Sequence, residues 1–142
     1  MACGIIIIDK PDGWTSQDVA AKLRGVFHER RIGHGGTLDP MATGVLPIFV
    51  CRATQGVEFF ESAEKEYVAG LRLGVETNTQ DTTGEILAEK PVSVTREQVE
   101  AVLQTFLGPQ EQLPPMYSAV KIGGKKLYEL ARQGKTVERK AR

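Results

Sequence analysis

The stretch Gly4-Ile-Ile-Ile-Ile-Asp-Lys-Pro-Asp-Gly-Trp-Thr-Ser-Gln-Asp-Val19 holds a strand, a turn and a helix start in immediate succession. Four consecutive isoleucines are β-branched and apolar, which predicts a short buried strand from Gly4 to Asp9. Lys10-Pro-Asp-Gly13 ends it in a turn. Thr15-x-x-Asp18 is a capping signature. Behind it Val19, Leu23, Val26 and Phe27 recur at helical spacing, so a helix from Ser16 to Phe27 is expected to pack on that strand.

Further along, Arg30 to Gly44 holds four glycines, a proline and few apolar residues, the composition of a loop. Val45 to Cys51 predicts a strand, with Pro47 marking a bulge or a sheet edge. A short helix is expected from Ala53 to Glu61. The alternation from Lys65 to Val75 predicts a strand with Tyr67 on its core side. A polar loop over Thr77 to Thr83 and a strand from Glu85 to Ala88 follow. Thr95-x-x-Gln98 opens a helix carrying Val99, Val102, Leu103 and Phe106, stopped by Gly108-Pro109. Leu113-Pro-Pro115 reads as an extended link, Met116 to Ile122 as a strand and Gly123-Gly124 as a hairpin-like turn. Lys125 to Gln133 reads as a helix ended by Gly134, and Val137 to Arg142 as a further extended segment. Strands mix with helices without regular βαβ alternation. The expected class is therefore α+β, with a mixed, largely antiparallel sheet flanked by helices, over the single span 1–142.

The 142 residues are 41% hydrophobic and 25% charged, enough for a core without a disulfide or metal staple. The longest aliphatic run, Ile5 to Ile8, is far short of a membrane span, and no leader pattern precedes it. A soluble, cytoplasmic chain is expected. Cys3 and Cys51 form no C-x-x-C, and with only His28 and His34 no familiar zinc spacing exists. Both cysteines are expected to be small buried residues without chemistry, and neither metal nor cofactor is expected.

Net charge is zero but unevenly spread: the balance is +1 over 1–52, −7 over 53–112 and +6 over 113–142. The basic end carries Lys121, Lys125, Lys126, Arg132, Lys135, Arg139, Lys140 and Arg142. Such a cluster is either a solvated face or a phosphate-contacting surface.

The glycine-rich loop admits three readings. A triphosphate cradle is excluded, because Gly44 is followed by Val45 and Leu46 and no G-x-x-x-x-G-K-[ST] exists. A structural reading has Asp39 capping a helical turn that starts at Pro40. A catalytic reading makes Asp39 a nucleophile or general base, with Lys10, Arg31 or a group outside this chain keeping it ionised. Asp9, Asp12 or Asp81 could be a second carboxylate, at a separation the spacing does not fix.

Gly33-His-Gly-Gly-Thr-Leu-Asp-Pro-Met-Ala-Thr-Gly-Val-Leu-Pro47 closely resembles the catalytic motif of the TruB family of tRNA pseudouridine synthases. Ile8-Asp-Lys-Pro-Asp-Gly-Trp-Thr-Ser16, Lys65-Glu-Tyr67 with Arg72-Leu-Gly74, and Asp81-Thr-Thr-Gly84 resemble further family segments in order. So do Pro114 to Lys121, Leu127 to Arg132 and Val137 to Arg142. The resemblance implies a pseudouridine synthase-like catalytic domain that isomerises the T-loop uridine at position 55 of tRNA without cofactor or metal. It makes Asp39 the essential aspartate and Tyr67 the active-site tyrosine. His34 would help displace the target base, Lys10 would support the pocket near the tyrosine, and Gly33, Gly36 and Gly44 would let RNA approach. Arg72 would contribute to substrate binding. Gly35 stands where the family usually carries Thr or Ser. Family members continue past Arg142 into more of the catalytic sheet, an arginine that pairs with the aspartate, and an RNA-binding domain. The chain therefore reads as the N-terminal portion of such an enzyme, with an exposed sheet edge open to self-association. The alternative is a catalytically silent fragment that binds the tRNA T-arm or assists its folding.

Overall fold

The computed structural model describes residues 3–60 and 62–141, which divide into two compact units, 1–68 and 69–142. In the first unit β1 (Gly4–Lys10) pairs antiparallel with β3 (Gly44–Val50), which pairs on its other side with β2 (Ile32–His34). The order is β1-β3-β2. Helix α1 runs from Ser16 to Phe27, and Thr15 and Asp18 close a reciprocal capping box at its start. Two of the first turn's otherwise unpaired donors are thereby satisfied.

Strand alternation decides what is buried. Leu46, Ile48 and Val50 of β3, with Ile6 and Ile8 of β1, face Val19 and Ala20 of α1 and form the core with Ile32. Ile5 and Ile7 point the other way and are exposed, so β1, expected as a buried strand, is buried on one face only. On that outer face Phe49 is fully covered. Its ring meets Phe60 edge-to-face at 5.0 Å, the contact by which the 3-10 helix Cys51–Phe60 seats on half of the sheet. The expected helix at Ala53 to Glu61 exists in this tighter form as far as Phe60; Glu61 lies outside the described residues.

Two loop-region expectations change. Ile32 to His34 is a strand rather than loop, because the exposed polar groups of β3 offer it a ladder. Pro47 marks neither a bulge nor an edge: β3 is the central strand, and its register with β1 is unbroken. The Pro47 carbonyl accepts from Gly35 N–H at 2.8 Å, so Pro47 turns its backbone toward β2, just past the last paired residue His34. The missing N–H falls where the β2 ladder has already ended.

In the second unit β4 (Val75–Thr77) and β5 (Ile86–Glu89) form a hairpin with a register shift at Glu76/Thr77. Helix α2 (Arg96–Gln104) has a complete capping box from Thr95 and Gln98 but buries none of its residues. The hairpin of β6 (Lys121–Ile122) and β7 (Lys125–Lys126) turns on Gly123 and Gly124, both at positive φ, as a two-residue loop requires. Helix α3 (Leu127–Ala131) buries Leu127 and Leu130. Residues 65–73 form no strand: Val68, Leu71 and Tyr67 are exposed, and among the described residues no ladder partner faces them. Met116 to Ile122 likewise keeps strand structure only at its last two residues. Alternation prepares a segment for a sheet but supplies no partner.

No described helix is long and apolar enough to cross a membrane.

Candidate active site

Asp39 sits in a short turn whose closure is backbone to backbone: the Ala42 N–H donates to the Asp39 carbonyl at 3.0 Å. The turn expected at Pro40 is present, and the Asp39 side chain is left exposed. Both neighbours of Asp39 are anchored. On the preceding side, Leu38 N–H donates to Ser16 Oγ at 2.9 Å, and that hydroxyl lies 3.4 Å from the Leu38 carbonyl. On the following side, the Pro40 carbonyl accepts from Gly13 N–H at 2.8 Å and from Lys10 Nζ at 3.0 Å.

Lys10 is the largest fully buried side chain. Its ammonium also donates to the carbonyls of Pro11 at 2.8 Å and Trp14 at 2.5 Å, so its three protons meet three backbone acceptors. A buried lysine is tolerated only with such satisfaction. The sequence-based roles for Lys10 change accordingly. It does not line the pocket beside the tyrosine and does not pair with Asp39; it ties the Lys10–Trp14 turn to the loop that carries Asp39. Among the described residues Asp39 has no cationic partner within salt-bridge distance.

His34 lies in β2 opposite Ile48, and its Nδ1 is 2.6 Å from the Gly36 carbonyl. This holds the ring across the bend that Gly36 makes at φ +103°, a conformation suited to glycine. Gly33 differs from the expectation of a close-approach glycine, since it is an ordinary ladder residue opposite Phe49 with room for a Cβ. Within this loop, Gly35 is the position a Cβ would crowd, standing 2.7 Å from the Phe49 ring and 3.6 Å from Pro47. Composition alone counted it among four similar glycines; the signal it lacked was the ring opposite.

Beside this loop, the uncovered half of the outer sheet face opens into a groove of roughly 410 Å³. Ile7, Val45 and Pro47 form its floor, Gly35 to Leu38 one wall, and Phe60 with residues 63–67, ending at Tyr67, the other. Tyr67 is exposed and lies in an irregular segment rather than on the core side of a strand. Gly36 and Tyr67 thus meet at one groove, and Leu38 places Asp39 next to its wall. Arg72 belongs to the second unit, where it lines a separate hollow with Leu71 and Glu76. Asp81, a candidate second carboxylate, is engaged locally: it accepts from Thr83 Oγ1 at 2.6 Å and Thr79 Oγ1 at 2.7 Å. The Thr83 hydroxyl, more than any other neighbour, holds its carboxyl below the usual range. Among the described residues no three His, Cys, Asp or Glu side chains group as a metal site would require.

Comparison with known proteins decides the family. The family model described as TruB family pseudouridylate synthase (N terminal domain) matches residues 24–142. The chain belongs to the TruB family. It is 50% identical over 141 residues to tRNA pseudouridine synthase B of Lactococcus lactis subsp. lactis (strain IL1403), covering 98% of this chain and 43% of that protein. It is 53% identical over 137 residues to tRNA pseudouridine synthase B of Dehalococcoides mccartyi (strain CBDB1), covering 96% of this chain and 46% of that protein. Among solved structures, a chain of a Cbf5-Nop10-Gar1 complex superposes with a TM-score of 0.57 at 29% identity, over 83% of this chain and 31% of that one. This TruB-family chain therefore spans somewhat under half the length of these curated relatives. The α+β class with antiparallel sheets agrees with that superposition.

Proposed function

We propose that this TruB-family chain is the N-terminal portion of the catalytic domain of a synthase that converts the T-loop uridine of tRNA, position 55, to pseudouridine. The observation that carries the reading is the placement of Asp39: its neighbours Leu38 and Pro40 are both pinned to the β1–α1 connection, while Asp39 itself is exposed one residue beyond the groove-lining Leu38. Isomerisation breaks the C1′–N1 bond, turns the uracil and joins C5 to C1′; C5 gives up a proton and N1 gains one. Asp39 would act at the sugar, as nucleophile or as base, from a backbone that cannot drift. A loop uridine must leave its stack to reach such a site, and the exposed Tyr67 ring offers it a stacking surface. His34, fixed over Gly36, would fill the space the base vacates.

The β6–β7 hairpin supports an RNA ligand independently. It sets Lys121 directly opposite Lys126, with Lys125 on the turn side. Like charges across a ladder repel, and an anionic backbone would relieve them. The same reading places the enzyme in the cytoplasm with its tRNA, and includes self-association of this chain through the open edge of β1.

The test is tritium release from C5-labelled uridine in unmodified tRNA, comparing this chain with Asp39→Ala. Release that Asp39→Ala abolishes is the expected result. No release from either, with tRNA binding that weakens as salt rises, would overturn catalysis by this chain and leave the T-arm-binding alternative.

A further inference from the structure

The mechanism above leaves both cysteines unused, and their placement differs from the buried, inert pair expected of the sequence. Cys3 is exposed and Cys51 half-buried, and both are free thiols. The ladder between β1 and β3 begins with Gly4 opposite Val50, so Cys3 and Cys51 occupy the next facing positions. Pro47 and Cys51 both turn their backbone toward the β2 side, the latter through a Cys51 N–H to Arg31 carbonyl bond of 2.7 Å. Cys51 therefore faces Cys3 without ladder bonds between them, the arrangement in which opposing side chains approach closest. The Cys51 thiol is among the groups that lower the Cys3 pKa, as a close neighbour would. Facing residues without ladder bonds lie about 4.5 Å apart at Cα, at the short end of the roughly 4.4–6.8 Å that disulfides span.

The surroundings favour reaction at Cys3 first. Cys51 turns to φ +59°, and there the chain enters the 3-10 helix. The Ala53 N–H hydrogen-bonds the Cys3 sulfur and lowers its pKa, and Arg52 N–H and the Arg52 guanidinium act in the same direction. A thiol so placed is more often thiolate, and thiolate is the nucleophile.

We propose that Cys3 and Cys51 are a reversible thiol–disulfide site that reacts with low-molecular-weight disulfides such as oxidised glutathione. The Cys3 thiolate attacks one sulfur of the reagent, forming a mixed disulfide and expelling one glutathione thiolate. Cys51 then loses its proton, and its sulfur attacks Cys3 Sγ and expels the second thiolate. The protein loses two electrons and two protons, and the reagent becomes two thiols. The product ties the start of β1 to the end of β3 and encloses the whole Asp39 loop. Such a bond in a reducing compartment is transient and responsive rather than structural.

The experiment treats the full chain with oxidised glutathione at mildly alkaline pH and follows intact mass, peptide linkage and Tm. The expected product is a monomer lighter by two hydrogens, with Cys3 and Cys51 in one cross-linked peptide pair. Its Tm should rise by roughly 5 °C or more and return on addition of dithiothreitol. Cys51→Ser should stop at a single glutathione adduct on Cys3, and Cys3→Ser should react far more slowly. Glutathione on both cysteines of the parent with no internal bond, or cross-links only between chains, would overturn the proposal. Because the mass readout uses the unmutated chain, it holds even if a variant folds poorly.

Discussion

Gly35 is the residue at which the sheet and the Asp39 loop constrain each other most closely. Its missing side chain leaves room for the edge of the Phe49 ring, and that ring is what the 3-10 helix packs upon through Phe60. Gly35→Ser would put a Cβ 2.7 Å from a fully buried ring. Overpacking of this kind costs about 1–3 kcal/mol. The expected outcome is a lower denaturant midpoint for Gly35→Ser, most of it recovered in the double variant Gly35→Ser/Phe49→Leu. Equal loss in single and double variants would show that the two residues do not couple. The family's usual Ser or Thr here thus becomes a question about what faces it across the sheet. Asp39 was legible as a candidate from its motif, whereas the office of Lys10 was not, because its decisive acceptor at Pro40 lies thirty positions away in the chain.

At the scale of elements, α1 and α2 carry the same capping device with different consequences. The Thr15/Asp18 box starts a helix that buries Ser16, Val19 and Ala20, while the Thr95/Gln98 box starts one that buries none of its residues. Thr15 hydrogen-bonds the Asp18 carboxylate through its hydroxyl and its N–H and so lowers the Asp18 pKa below its ordinary value. An unfolded Asp titrates near ~3.9. Between that value and the lower folded one, the unfolded chain binds more protons than the folded chain, so this contribution is complete above about 4. It is lost as pH falls through the folded pKa. Thermal melts from neutral to acid pH should therefore show a drop in Tm beginning near pH 4 that is smaller in Asp18→Asn; identical acid limbs would refute the assignment. Caps are local, which is why the bounds of α1, Ser16 to Phe27, could be read from sequence. Strand β2 and residues 65–73 could not, for opposite reasons. Ile32 to His34 looks like loop and becomes strand because β3 lies beside it. The alternating segment looks like strand and stays irregular because no ladder meets it.

At the largest scale, the governing feature is the open edge of the first unit's sheet. Strand β1 stands at its edge, and because Pro47 faces β2, the pair Ile7–Pro47 is not hydrogen-bonded. By alternation the backbone groups of Ile5, Ile7 and Asp9 point away from β3. Among the described residues nothing pairs with them, and Ile5 and Ile7 are themselves more than half exposed, at 52% and 58%. An apolar open edge is a template for another copy of the same strand. Sedimentation over rising concentration should therefore show a dimer built through β1. Ile5→Pro removes an outward N–H and leaves the bonds of β1 to β3 in place, so it should shift the equilibrium to monomer while keeping the parent's circular dichroism. A parent that stays monomeric at high concentration, or a dimer that Ile5→Pro leaves intact, would exclude this edge as the contact. The groove beside Asp39 shares Ile7 with that edge, so a dimer of this kind would also alter access to the site. Tritium release should then fall as concentration rises in the parent and stay constant per chain in Ile5→Pro.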